Sequence, residues 1–157
     1  MDPLLSIGIG IGVLAGVWTQ VSALLALPTW IAFISWAAFY AAGGKTQGLL
    51  KVLPTTLSGV LWGFLMVQLG GLIGGTVGLA IAIAVLAVLM VVQAKWSVLA
   101  FVPGAFAGAA SYFGSGLQWR ETVICLVVGA LAGWLSEAAA TWLQGLGRRR
   151  AEAEPAA

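Results

Sequence analysis

Gly59-Val60-Leu61-Trp62-Gly63-Phe64-Leu65 returns as Gly129-Ala130-Leu131-Ala132-Gly133-Trp134-Leu135 when the chain is slid against itself by 70 residues without a gap. Neither copy holds a charged side chain, and the surroundings are as apolar. From Leu4 to Leu143 the charged residues are Lys45, Lys51, Lys95, Arg120, Glu121 and Glu137. The whole chain of 157 residues is 61% hydrophobic and 8% charged. Its mean hydropathy is +1.06. A soluble domain keeps roughly a quarter of its residues charged. The solvent of this chain is therefore a bilayer.

A hydrocarbon core about 30 Å thick takes roughly 20 apolar helical residues per crossing. Loop signals interrupt the apolar tract at Leu27-Pro28, Gly43-Gly44-Lys45, Gly70-Gly71, Gln93-Ala94-Lys95 and Gly114-Ser115-Gly116. These breaks predict an all-α membrane domain over 1–143 with six transmembrane helices, near 4–26, 28–43, 47–69, 72–93, 96–113 and 119–143. Residues 144–157 read as a cytoplasmic tail, basic at Arg148-Arg149-Arg150 and then polar. The first segment has only Asp2 and the terminal amine before it, where a signal peptide carries Lys or Arg, so it reads as a permanent span.

The 70-residue slide also sets Gly8 on Gly78 and Gly44 on Gly114. With glycine this abundant, about two such coincidences arise by chance at any offset, so their placement carries the weight. They fall in helices one and four, after helices two and five, and in helices three and six. A three-helix unit repeated in this way enters the membrane from opposite sides. The halves, about 4–70 and 74–143, would form a 3+3 inverted repeat about an axis in the membrane plane. The competing reading is that glycine-rich membrane helices resemble one another by composition alone.

Basic residues orient the chain. With a cytoplasmic N-terminus, Lys45, Lys51, Lys95 and the three tail arginines collect on the cytoplasmic side, and Arg120 alone lies opposite. That bias puts both termini in the cytoplasm. The tail cluster suits anionic lipid better than nucleic acid. Cys125 is the single cysteine and there is no histidine, so the commonest general base and metal ligand is missing. The chain is expected to be no enzyme and to need no metal or cofactor.

Chemistry is expected at helices two and five. Helix two is short, and Pro103-Gly104 interrupts helix five. Short or broken helices at matching places in two halves point to a transport site. Pro54 in helix three frees the carbonyl of Leu50 and is followed by Thr55 and Thr56. Phe33, Trp36 and Tyr40 share one third of helix two with Trp30, while helix five offers Phe101 and Phe106. These rings either shape a narrow apolar constriction or pack the bundle and belt its interfaces. Glu137 needs an inward partner, with Lys51 the expected one. Its functional alternative is a proton-coupling carboxylate. The glycines at 8, 12 and 16, and at 70, 74 and 78, form ridges for close helix contact. Gly10-Ile11-Gly12 fits a dinucleotide fingerprint by letters only, with no strand before it.

With Ser35-Trp36-Ala37-Ala38-Phe39-Tyr40-Ala41-Ala42-Gly43-Gly44 and Phe101-Val102-Pro103-Gly104-Ala105-Phe106-Ala107-Gly108 in view, the chain resembles the YcdZ-like small inner-membrane proteins of bacteria over roughly residues 5–143. That group is classed as of unknown function. The resemblance implies a bacterial inner-membrane location and no activity. Aquaporins and formate channels are similar in architecture only, and the paired Asn-Pro-Ala signature of aquaporins is missing here.

The expectation is a passive channel or facilitator for a small uncharged polar solute or gas. Its partners would be the lipid bilayer, that solute, and further copies in a homo-oligomer, with a trimer as the guess. The alternatives are a proton-coupled carrier using Glu137 and a non-transporting scaffold.

Overall fold

The computed structural model describes the backbone of residues 2–153 and the side chains of residues 2 and 4–145. Among the described residues there are six α-helices: α1 Pro3–Leu24, α2 Thr29–Ala41, α3 Lys45–Ile73, α4 Gly78–Val92, α5 Val102–Gly114 and α6 Trp119–Ala153. Two short 3-10 turns, Gln93–Lys95 and Ser97–Leu99, join α4 to α5. Helix α6 runs on past its expected end at 143. The side chains of the tail arginines and residues 154–157 lie outside the described set.

The ends follow from local chemistry. Asp2 accepts from the Leu4 N–H at 3.1 Å, and Pro3 occupies the first turn, where its missing N–H costs nothing. Helix α2 ends where the N–H of Gly44 reaches back to the Phe39 carbonyl at 3.1 Å. Gly43 and Gly44 take positive φ there, a conformation that glycine reaches without a Cβ clash. Helix α5 closes in the same way, with the Leu117 N–H on the Tyr112 carbonyl at 3.1 Å and Gly116 at positive φ.

Four helices are long and apolar enough to cross a bilayer: Leu4–Leu24, Lys45–Ile73, Gly78–Lys95 and Trp119–Gly145. Helices α2 and α5 have 13 residues each. At 1.5 Å per residue that is about 20 Å, short of a full hydrocarbon core. Pro54 sits inside α3 without ending it.

Packing does not follow chain order. Helix α2 lies mainly on α6 and α5 mainly on α3, while α1 covers α6 and α4 covers α3. Backbone contact sets the two closest crossings. A Cβ on Gly59 would run into the carbonyl of Ala105, and one on Gly129 into the carbonyl of Ala32. One turn on, Gly63 faces the Tyr112 ring and Gly133 faces the Phe39 ring. These pairings run α2 parallel to α6 and α5 parallel to α3. Gly70 against Leu79, with Trp62 bonded to Gln93, runs α3 antiparallel to α4. Gly10 against Ser136 and Ala139, with Trp18 clustered with Cys125 and Leu126, sets α1 antiparallel to α6. Val60 clusters with Cys125 and Leu126, and Val52 with Ala130, so α3 and α6 are antiparallel.

Lipid supplies no hydrophobic force between helices, so close backbone approach must hold them. A Gly59→Leu or Gly129→Leu substitution should therefore cost at least about 1–3 kcal/mol, the usual size of overpacking. Gly12→Leu should be tolerated, since nothing lies within 4 Å of a Cβ there. Thermal unfolding in detergent, followed by size-exclusion recovery, reads the difference.

Candidate functional site

The threonines after Pro54 stand at the centre of the bundle. Thr55 and Thr56 are fully buried. The Thr55 hydroxyl donates to the Lys51 carbonyl at 2.6 Å and the Thr56 hydroxyl to the Val52 carbonyl at 2.8 Å. Thr55 rests over Gly104 and the Thr56 backbone over Gly108, so α5 can seat on α3 only because both positions lack a Cβ.

Pro103 does not break a helix. It falls in the first turn of α5, after the two 3-10 turns, where proline's absent N–H leaves no bond unmade. The expected helix 96–113 thus begins at Val102, and Pro103 frees no carbonyl within it. Phe101, just before α5, packs with Phe39 and Val52.

Trp36 and Tyr40 converge on one hydroxyl. Trp36 Nε1 donates to Ser136 Oγ at 3.1 Å, and the Tyr40 hydroxyl lies 2.8 Å from the same oxygen. Ser136 in turn donates to the Gly133 carbonyl at 2.7 Å. This triad fastens α2 to α6. Phe33 lies beside Trp36, with ring centroids 6.2 Å apart, but on the outer side of it, and Phe106 does not join these groups. Phe33 is 37% exposed and Phe106 50% exposed, each on the outer flank of its helix. Phe33 borders an open apolar groove of 220 Å³ with Ile11, Trp36, Ala37 and Tyr40, and Phe106 borders one of 390 Å³ against α4. In the described conformation both rings are therefore partly exposed rather than enclosed at the crossing.

Glu137 finds a partner other than the expected Lys51. Its carboxylate accepts the Lys45 N–H at 2.5 Å and lies against Gly44. A carboxylate at the first N–H groups of α3 satisfies an orphan donor and the positive end of the helix dipole. Lys51 is exposed.

The crossing is closed. Ile31, Phe39, Val52, Thr55, Thr56, Cys125 and Leu126 have 0% exposure, so no water-sized space touches them. Buried polar side chains among the described residues are serines, threonines and one glutamine, all uncharged. Three of their atoms have no hydrogen-bond partner: Ser35 Oγ, Ser111 Oγ and Gln93 Nε2. Gln93 spends its oxygen on Trp62 Nε1 at 2.8 Å. The sequence offered Gln93 only as part of the loop signal Gln93-Ala94-Lys95, and Ser111 not at all. The usable signal was the spacing of Gly104, Gly108, Ser111 and Ser115, which places a hydroxyl on the glycine face of α5.

Fold and interior define an all-helical integral membrane protein with an uncharged core. Its sequence matches the family described as "Protein of unknown function (DUF1097)" over residues 8–141, and the chain belongs to that family. It is 33% identical to "Inner membrane protein YcdZ" of Escherichia coli (strain K12) over 156 residues, covering 98% of this chain and 96% of the relative. The Salmonella typhimurium protein of the same name is 33% identical over 145 residues, 91% of each chain. "Uncharacterized protein YahC" of Escherichia coli (strain K12) is 31% identical over 150 residues, 87% of this chain and 90% of the relative. No solved structure matches. The protein is thus an inner-membrane protein with transmembrane helices in contact with lipid.

The Glu137 geometry predicts that Glu137→Ala lowers stability by about 0.5–2 kcal/mol, the range of a lost N-terminal cap. Lys51→Ala should leave it within about 0.5 kcal/mol, as an exposed position does. Unfolding midpoints of both variants in the same detergent check this.

Proposed function

We propose that the protein is a passive facilitator for a small uncharged polar solute or gas, built from two three-helix halves inverted in the membrane. The size class is that of urea, ammonia, a short amide or carbon dioxide. One observation carries the reading: the close contacts come in matched pairs. Gly59 on Ala105 answers to Gly129 on Ala32, and Gly63 on Tyr112 answers to Gly133 on Phe39. Eight of the nine buried positions of α3, Val52, Thr55, Thr56, Gly59, Val60, Gly63, Met66 and Gly70, recur 70 residues on as Thr122, Cys125, Leu126, Gly129, Ala130, Gly133, Ser136 and Ala140, while Gly48 falls on the exposed Gln118. On α2 and α5 the shift is 73, which brings Ser35 onto Gly108 and Phe39 onto Tyr112. The alternating helix directions add further support for six crossings in opposed trios.

In this reading each half lends its third helix to the other. Helices α1, α2 and α6 form one body, and α4, α5 and α3 form the second. The seam between them is uncharged. An ion stripped of water there would lose many kcal/mol, while a small neutral molecule loses far less. The described conformation is the closed one, and a passage opens by rocking one body against the other. The positive-inside bias sets both termini in the cytoplasm. The broad apolar exterior of so small a bundle favours a homo-oligomer, with a trimer as the working assumption.

A proton-coupled carrier using Glu137 draws less support, because that carboxylate already caps α3. A scaffold role draws less support from the short loops between the helices. Stopped-flow measurement on proteoliposomes tests the proposal. Urea, acetamide, ammonia or carbon dioxide should cross at least about fivefold faster than in protein-free vesicles, and an imposed pH gradient should not drive urea uphill. Vesicles as tight as the protein-free controls to all four would refute it.

A further inference from the structure

In helices surrounded by lipid, a serine or threonine hydroxyl finds its default partner in a carbonyl three or four residues back on its own helix. Thr19, Ser22, Thr55, Thr56, Ser58, Thr122, Ser136 and Thr141 all do so. Ser111 does not. It is 1% exposed, its oxygen has no partner, and a buried polar atom without one is costly. Something that the closed bundle does not hold is expected to meet it.

The surroundings of Ser111 say what. Gly104, Gly108, Ser111 and Ser115 lie on one face of α5 by their spacing. At one end of that face the Thr55 hydroxyl lies over Gly104. At the other, Ser115 Oγ accepts from Thr122 Oγ1 of α6 at 2.9 Å. Ser111 stands between these two polar ends. Gly104 to Ser115 spans about 16 Å along the helix, roughly half the hydrocarbon thickness. Across the pseudo-twofold the face keeps one hydroxyl, that of Ser35, which answers to Gly108, while Ser111 answers to Ala38, Ser115 to Ala42 and Thr122 to Val52. Ser111, Ser115 and Thr122 therefore have no hydroxyl counterpart across the pseudo-twofold.

We propose that this face of α5 is the solute-binding track, with Ser111 as its specificity-determining residue. The ligand class is a small uncharged molecule that both donates and accepts hydrogen bonds, such as urea or a short primary amide. Hydroxyls on either side of Ser111 offer donor and acceptor groups at successive steps, which an apolar gas cannot use. This assignment rests on the facilitator reading, and the test separates the two.

The first arm compares urea and carbon dioxide flux in wild type, Ser111→Ala and Ser58→Ala proteoliposomes. Ser111→Ala should slow urea by about five- to tenfold, the loss of one hydrogen bond, and leave carbon dioxide and the Ser58→Ala control unchanged. The second arm works without flux. In a Cys125→Ala background, Ser111→Cys should react with methyl methanethiosulfonate in vesicles and be protected by molar urea or acetamide. Ser136→Cys, equally buried but fastened between α2 and α6, should stay unreactive. Wild-type urea flux untouched by Ser111→Ala, or a Ser111→Cys thiol that is inert or reacts without protection, overturns the track. Protected labelling in a protein that carries no solute keeps the track and sinks the facilitator.

Discussion

Two helix pairs approach so closely that backbone meets backbone, and the rest of the fold is arranged around them. Gly59 admits the Ala105 carbonyl, Gly108 the Thr56 carbonyl, and Gly129 the Ala32 carbonyl. Inside a bilayer, apolar side chains gain nothing from leaving lipid for protein, so dispersion at short range and a few hydrogen bonds must hold helices together. Glycine is the residue that shortens the range. The choice also explains the short helices. Thirteen residues suffice for α2 and α5 because each is clasped along one face by a much longer partner. Around these crossings the remaining polar groups act as fasteners. Ser136 joins α2 to α6 through Trp36 and Tyr40, and Glu137 joins the end of α2 and the start of α3 to α6.

The membrane class, the presence of six helices and many helix limits were legible because apolar runs and Gly or Pro breaks are local signals, but Gly70-Gly71, read as a break, lies inside α3, which runs to Ile73. The Gly59 and Gly129 stretches were legible too, since the third helices keep a constant shift of 70 residues. The middle helices were not, because their shift is 73 and an ungapped slide passes over it. The segment before α5 also differs, with two 3-10 turns in place of a simple turn. Pro103 misled for the same reason. Its letters fit a broken helix, yet the break lies ahead of it and proline only opens the helix that follows.

Side-chain direction was the weakest part of the reading. The aromatic stripe on α2 groups Phe33 with Trp36 and Tyr40, but a helix divides its faces finely. Trp36 is buried while Phe33 looks outward. In a chain this apolar, hydropathy does not distinguish lipid from core, so inward and outward rings look alike in sequence. Small residues discriminate better, and on α5 the buried hydroxyl of Ser111 shares a face with Gly104 and Gly108. Glu137 shows a related limit. Charge complementarity points to Lys51, whereas the nearest donor is a backbone N–H, which a sequence does not display.

The account depends most on opposed trios of crossings, and single-cysteine topology mapping tests that most directly. In a Cys125→Ala background, cysteines at Ala26, Gly75 and Gly116 should be labelled by a membrane-impermeant thiol reagent from one face of the vesicle. Cysteines at Gly43 and Trp96 should be labelled only from the other face. Labelling of Gly43 and Gly75 from the same side would mean that the halves are not inverted, and the account would be contradicted.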